Sequence, residues 1–232
     1  MRSGRAEAFS DGVFAIAITL LVLSLRLPLA GPAPSAGSLT SELLHAWPQY
    51  FAYVVSFVTI GIMWMNHHTI LGHVVMVDRA LLVINLFLLM GVVAIPFPTS
   101  LVATNLGHPG AAVATVTYGL VMIAISLAFG GLWVYVVLHA DSVGAATNRE
   151  TLWRSVPGFT FGIAVYGVGT LVAGLLSPIA GLIIFGLLAV YYLFDHLPQP
   201  PREGSSGDSA GSSGDSAGSS GDSAGSSGES AP

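Results

Sequence analysis

Residues 5–25 read RAEAFSDGVFAIAITLLVLSL, a charged opening followed by an uncharged apolar run. Residues 12–25 hold no charged side chain, so Asp11 lies at or inside the edge of a membrane helix. A carboxylate buried at that depth costs about 3 kcal/mol or more unless it finds partners. Asp11 is therefore a candidate functional residue, and the run predicts a transmembrane helix.

The whole chain has the composition of a multi-pass membrane protein. It is 53% hydrophobic and 8% charged, whereas a soluble domain carries about 25% charged residues. Residues 80–140 and 155–194 contain no Asp, Glu, Lys or Arg, and each stretch is at least twice the roughly 20 residues that cross a bilayer. The absence of cysteine excludes disulfides, thiolate metal sites and thiol catalysis.

Hydropathy and helix-breaking residues predict an all-α membrane protein with six transmembrane helices. A Pro/Gly/Ser-rich loop over 28–46 follows the first helix, and a turn over 105–110 follows the third. A cleaved signal peptide is the alternative for the first helix, but the acidic Glu7 and Asp11 do not fit its basic region. The predicted spans cover about 6–27, 47–71, 79–104, 111–139, 156–176 and 178–194.

The placement of the arginines predicts how these helices are oriented. If the N-terminus is cytoplasmic, only Arg26 falls on the outer side, and both termini lie in the cytoplasm. The other six arginines then all lie on the inner side: Arg2, Arg5, Arg79, Arg149, Arg154 and Arg202.

The C-terminal segment differs in composition from the rest of the chain. From Gly204 the sequence GSSGDSA occurs three times, followed by GSSGESA. Such a segment has no apolar face to bury, so we expect a disordered linker, either native low complexity or an engineered spacer. The predicted domains are a six-helix transmembrane domain over 1–197 and a disordered tail over 198–232.

The predicted topology brings polar residues of three helices to one depth. Asp11 lies near the inner end of the first helix, and Trp64, His67 and His68 lie near the inner end of the second. Asn85 lies six residues into the third helix, or about 9 Å from its start. Such groups often only hold helices together, at around 1 kcal/mol per contact, and we favour this structural role for them.

A metal or haem site at His67 and His68 is disfavoured by the geometry of a helix. Adjacent helical residues diverge by about 100°. No histidine lies three or four residues from either one to form a chelating pair. The sequence therefore predicts no metal and no cofactor.

Three motifs in register resemble the transmembrane protein 175 family of potassium channels. They are Arg5-x-x-x-Phe9-Ser10-Asp11, then Trp64-x-x-His67-His68, and then Asn85-Leu86 followed by Pro96-Phe97-Pro98. The resemblance covers at least residues 5–104, and the length matches the bacterial members with one six-helix unit per chain. It implies a homotetramer in the bacterial plasma membrane, with potassium as the permeating ion and with no nucleic-acid or soluble partner.

The first helix carries an aliphatic stripe. Ile16, Thr19, Leu20, Leu23 and Leu27 lie within roughly 60° of a common direction. Asp11 points about 140° away from Ile16 by the same arithmetic. From the residues alone, this stripe is best interpreted as lipid-facing or as packed core.

The resemblance implies a different role for the stripe, because in this family the first helix lines the pore. Ile16 then matches the narrowest hydrophobic constriction, Leu20 and Leu23 match the next apolar rings, and Thr19 matches a hydroxyl near the ion. A narrow apolar neck gates by dewetting and offers no carbonyl cage, so potassium-over-sodium selectivity is expected to be modest. The implied structural polar network comprises Arg5, Phe9, Ser10, Asp11, Trp64, His67, His68 and Asn85.

Two other functions are weighed against a potassium-permeable cation channel. A proton-coupled transporter using Asp11 and His68 as a relay is the alternative, but the sequence shows no inverted repeat and no paired broken helices. A membrane enzyme is third, because the polar residues include no nucleophile motif. The sequence therefore predicts a channel and no enzymatic activity.

Overall fold

The computed structural model describes residues 2–25, 36–144, 153 and 156–194. These residues belong to one compact unit and are mainly helical. The predicted domain boundary after residue 197, and the predicted disordered tail, lie outside the described residues. The helices are α1 (Ser3–Leu20), α2 (Ala36–His45), α3 (Trp47–Gly72), α4 (Arg79–Ala94), α5 (Pro96–Asn105), α6 (Ala111–Leu138), α7 (Val156–Leu175) and α8 (Pro178–Phe194).

Within the described residues, four segments are long and apolar enough to cross a membrane. They are Ser3–Ser24, Trp47–Gly72, Arg79–Asn105 and Ala111–Leu138. Two shorter apolar helices, Thr160–Leu175 and Pro178–Phe194, follow them. These six segments follow the order of the six predicted spans, but only the first four are candidate membrane spans, so six transmembrane helices stay a prediction.

The first span ends earlier than predicted. α1 tightens into a 3₁₀ turn over Leu21–Ser24, and Leu25 adopts an extended conformation. The Ser24 hydroxyl donates to the Leu21 carbonyl at 2.6 Å, which satisfies an acceptor at the helix end. The predicted stripe residue Leu27 lies outside the described residues.

The predicted loop over 28–46 contains a helix, α2, so that part of the prediction was wrong. The prolines of this segment stop at Pro34, and Leu39, Glu42, Leu43 and Leu44 are good helix formers. His45 Nδ1 lies 2.7 Å from the Ser41 carbonyl, within the last turn. The Pro-rich and Gly-rich first half of the segment had suggested a loop throughout, although the second half is helical.

The third predicted span is divided at Ile95 into α4 and α5. Pro96 and Pro98 carry no backbone N–H, so they cannot donate to the preceding turn. Ile95 N–H instead donates to the Val92 carbonyl, three residues back, at 3.1 Å. The span therefore crosses as two helical pieces rather than one.

One end of the bundle is tied together by backbone hydrogen bonds. Ser3 N–H donates to the Val75 carbonyl at 3.2 Å. Val75 and Met76 N–H both donate to the Val143 carbonyl at 3.0 Å. The start of α1, the connection from α3 to α4 and the residues after α6 therefore share one end, which we call the N-terminal end.

The core is apolar and centres on α6. This helix packs against α4, α5, α7 and α8, whereas α1 packs mainly against α3 and α4. Because α1 has neighbours on one side only, its opposite face is left exposed within one chain. The largest fully buried side chains include Trp133, Phe14, Phe185, Leu21 and Ile60.

Candidate functional site

Asp11 finds its partner on α3. The Trp64 indole Nε1 donates to Asp11 Oδ1 at 2.8 Å. α1 begins and α3 ends at the N-terminal end, so the two helices run antiparallel and meet at this depth. A half-buried carboxylate in an apolar helix is thereby supplied with a donor, as such a group requires.

A second contact between the same helices lies one turn nearer the N-terminal end. His68 Nδ1 lies 2.6 Å from Glu7 Oε1. The rings of Trp64 and His68 are 6.1 Å apart, so the two contacts are neighbours. Glu7 was not predicted as a site residue. It lies four residues before Asp11, and Trp64 lies four residues before His68, so each pair shares one helix face, and this matched spacing indicated two neighbouring contacts.

A buried chain of hydrogen bonds connects α1, α3 and α4. His67 Nε2 lies 2.7 Å from Asn85 Oδ1, and Asn85 Nδ2 donates to Ser10 Oγ at 3.0 Å. The Ser10 hydroxyl in turn donates to the Ala6 carbonyl at 2.9 Å. Because the Asn85 oxygen must accept, His67 Nε2 is the donor, which assigns its tautomer.

Apolar groups surround the buried chain. The Phe14 and Phe129 rings lie 5.3 Å and 6.5 Å from the His67 ring. Ser10, His67 and Asn85 are all buried. In such surroundings an unmade hydrogen bond costs more than in water, so these groups fix the relative position of three helices.

His67 and His68 serve different partners despite their adjacency. His67 is buried against Asn85, and His68 is exposed and contacts Glu7. This is the divergence expected of neighbouring helical residues. The two rings therefore have no common ligand direction.

The structure brings together six of the eight residues assigned to the network: Ser10, Asp11, Trp64, His67, His68 and Asn85. The other two, Arg5 and Phe9, are exposed. Arg5 makes no hydrogen bond or ion pair with any residue that the structure describes. The network role of Arg5 and Phe9 therefore stays a prediction.

The stripe on α1 is exposed within one chain. The exposed fractions are 57% for Ile16, 37% for Leu20 and 65% for Leu23. Ala6, Ser10, Phe14 and Ala17, which alternate with the stripe at helical spacing, are buried. The contacts to α3 and α4 thus fix the rotation of α1, and the stripe faces away from its own chain.

Thr19 lies on this exposed face. Its hydroxyl donates to the Ile16 carbonyl at 2.9 Å, three residues back. Donating this proton uses neither of the two lone pairs on the oxygen. Such an oxygen can accept a hydrogen bond from water or contact a cation.

A second buried polar cluster was missed by the sequence analysis. Ser56 Oγ lies 2.8 Å from Thr99 Oγ1 and 3.3 Å from the Tyr118 hydroxyl. The cluster joins α3, α5 and α6 just beyond the break at Ile95. Its only signal in the sequence was the presence of hydroxyls inside apolar spans.

A third polar contact lies at the N-terminal end. Asp78 caps α4 by accepting from Leu81 N–H at 2.8 Å, and it also accepts from the Tyr135 hydroxyl. These two hydrogen bonds, that of Tyr135 first, hold the pKa of Asp78 below its ordinary value. Asp78 thereby joins the start of α4 to the end of α6.

Comparison with known proteins gives consistent matches. The family model described as the endosomal/lysosomal potassium channel TMEM175 matches residues 5–96. A potassium channel of Streptomyces collinus is 46% identical over 210 residues, which cover 88% of this chain and 98% of that one. A potassium channel of Chamaesiphon minutus is 40% identical over 193 residues, 82% of this chain and 93% of that one.

Two solved structures resemble the fold. The crystal structure of a lysosomal potassium-selective channel TMEM175 homolog from Chamaesiphon minutus has a TM-score of 0.71 and 38% identity, and the match covers 82% of this chain and 96% of that one. A second TMEM175 potassium channel structure, at 19% identity and a TM-score of 0.58, is similar in fold alone.

Proposed function

The chain belongs to the TMEM175 family of ion channels, and from this premise we propose that it is a potassium-permeable cation channel whose pore is lined by α1. The family consists of channels and not of enzymes. In this proposal, four copies of the chain surround a central pore, and each copy contributes six transmembrane helices.

The observation that carries this proposal is the rotation of α1. Asp11 and Ser10 bind α3 and α4, so Ile16 and Leu23 point out of the chain. A helix held on one side by a polar network and left bare on the other is suited to face a symmetry axis. This arrangement supports a pore-lining role for α1.

Ile16 is proposed as the narrowest point, with Leu20 and Leu23 as the next apolar rings. A ring of four isoleucines excludes water until the neck widens, which gives a gate without a moving plug. Thr19 offers an oxygen beside this neck. Because no cage of carbonyls replaces the hydration shell, potassium-over-sodium selectivity is modest.

The membrane orientation is part of the proposal. Arg2, Arg5 and Arg79 lie at the N-terminal end, and an excess of arginine marks the cytoplasmic side. That end then faces the cytoplasm, and the protein is a multi-pass protein of the bacterial plasma membrane with both termini inside. The lipid bilayer and further copies of the chain are its partners.

The alternative of a proton-coupled transporter receives no support from the contacts. Asp11 binds Trp64, and His68 binds Glu7. These two side chains have separate partners, and no described contact joins them directly. The contacts therefore favour the channel over the transporter.

Single-channel recording of the purified protein in planar bilayers tests the proposal. With potassium on one side and sodium on the other, we expect ohmic current without a proton gradient and a reversal potential shifted towards potassium. A saturating flux that requires a proton gradient would contradict the channel. The mass of the detergent-solubilised protein should correspond to four chains.

A further inference from the structure

Arg5 is an exposed charge that has no partner among the residues that the structure describes. Its side chain makes no ion pair or hydrogen bond with the described residues, and the two nearest acids of its own helix are engaged elsewhere. Glu7 contacts His68, and Asp11 accepts from Trp64. The guanidinium is therefore available to interact with ions or with another copy of the chain.

The direction of Arg5 follows from helix geometry. Arg5 and Ile16 belong to the same regular helix, α1, and are 11 residues apart. At about 100° per residue this separation is three turns plus about 20°, with a rise of about 16 Å. Phe9, between them, is also within about 20° of the direction of Ile16. The three residues form one line on the exposed face.

We propose that Arg5 lines the inner mouth of the pore, where four copies form a ring of positive charge that limits cation entry. This inference rests on the proposed function, because it requires α1 to line the pore. A ring of guanidinium groups lowers the local potassium concentration at the mouth. Arg5 is then a determinant of conductance rather than a member of the buried network.

The salt dependence of conductance is the signature of such a ring. The Debye length is about 10 Å at 0.1 M and about 3 Å at 1 M ionic strength. The barrier is therefore strong in dilute salt and nearly absent in concentrated salt. Substitution of a residue with a purely structural role would change conductance by the same factor in dilute and in concentrated salt.

Substitutions of graded charge test the inference in planar bilayers. Arg5→Gln should raise single-channel potassium conductance about threefold at about 0.05 M KCl and less than about 1.5-fold at about 1 M. Arg5→Glu should raise it further, and Arg5→Lys should match the parent. Arg79→Gln is the matched control, because Arg79 is exposed at the same end but begins α4 instead of α1.

Chemical modification separates the charge from folding. The chain has no cysteine, so Arg5→Cys introduces a single reactive thiol. A positively charged methanethiosulfonate applied to the folded channel should return conductance to the parent value, and a negatively charged one should raise it. Equal effects of the two reagents would overturn the inference, as they would mark a steric effect.

Ile16→Asn, recorded in the same series, distinguishes failure of this inference from failure of the proposed pore. If Ile16→Asn raises current and the Arg5 variants do not show the salt-dependent rise, Arg5 is outside the pore while the proposed function stands. If neither position affects current in folded protein, α1 does not line the pore. Loss of folding in every Arg5 variant would show a structural partner and overturn the inference.

Discussion

The Trp64 indole donates to the Asp11 carboxylate at 2.8 Å, and this contact joins the first two membrane spans. It sits beside the buried chain from His67 through Asn85 to Ser10. All of these groups lie on the side of α1 that faces its own chain. The polar residues of α1 therefore orient the helix, and the apolar residues opposite them are left for the proposed pore.

Replacing Asp11 is expected to affect assembly more than permeation. Asp11→Asn keeps an acceptor but loses the charge that strengthens the hydrogen bond. We expect a loss of about 1–2 kcal/mol of stability, seen as a lower Tm in detergent and a lower yield of tetramer. The reversal potential between potassium and sodium should stay unchanged.

Trp64→Phe is the partner variant for Asp11, since it removes the donor and keeps the aromatic ring. If the two residues act through one contact, the double variant should be hardly less stable than the worse single variant. A normally stable Asp11→Asn protein with a changed reversal potential would place the carboxylate in the pore instead.

Asn85→Ala should be more damaging, because Asn85 is buried and bridges two other helices. The change leaves the buried His67 N–H without its acceptor and removes the amide that donates to the Ser10 oxygen, which costs about 2–3 kcal/mol. Thermal unfolding in detergent measures it. Asn105→Ala is the control, as Asn105 is half-buried and its side-chain amide donates within α5, to the Leu101 carbonyl and the Thr104 hydroxyl, so the loss should stay below about 1 kcal/mol. Equal losses at the two positions would contradict a bridging role.

The network could be foreseen to the extent that depth and helical period determine it. Asp11, Trp64, His67 and Asn85 share a depth because alternating spans return to the same membrane surface. The period of 3.6 residues then separates Asp11 from Ile16. The contact between Glu7 and His68 was not predicted, because Glu7 lies one turn nearer the start of α1, where a carboxylate needs a partner less than it does deeper in the helix.

Other features depended on tertiary packing and left little trace in the sequence. The hydroxyls of Ser56, Thr99 and Tyr118 meet, although they belong to three different spans. Their meeting depends on the rotation of all three helices. Composition also misled at α2, where the prolines of the preceding residues suggested a loop throughout. The local sequence pattern predicts where a helix forms and which residues share a face, but it does not predict which other helices pack against that face.

We predict that the stability of the folded protein depends on pH through His73. It follows α3, is buried against the Trp133 ring at 5.6 Å, and has no hydrogen-bond partner on either ring nitrogen within the described residues. Burial lowers the pKa of His73 below its ordinary value of 6.5. The unfolded chain therefore binds a proton more readily, and stability present above about pH 6.5 is lost as the pH falls below it.

His73→Phe should remove part of that loss, because the phenyl ring fills the site and cannot be protonated. We expect a smaller fall in Tm between neutral and mildly acidic pH than in the parent. His108→Gln changes an exposed histidine and should keep the parent profile. An unchanged pH profile in His73→Phe would show that the protonated ring finds a partner.

Ile16→Asn is expected to raise conductance severalfold, because amides hold water at a neck that isoleucines keep dry. Potassium preference should weaken as well, since a wetter neck lets sodium keep its hydration shell. Thr19→Ala should instead give little gain in current and some loss of selectivity. Leu127→Asn on α6 is the control, because Leu127 is 56% exposed, close to the 57% of Ile16, but lies on another helix. Should Leu127→Asn change current and reversal potential while Ile16→Asn leaves both unchanged, the pore would be lined by α6 and the proposed role of α1 would be wrong.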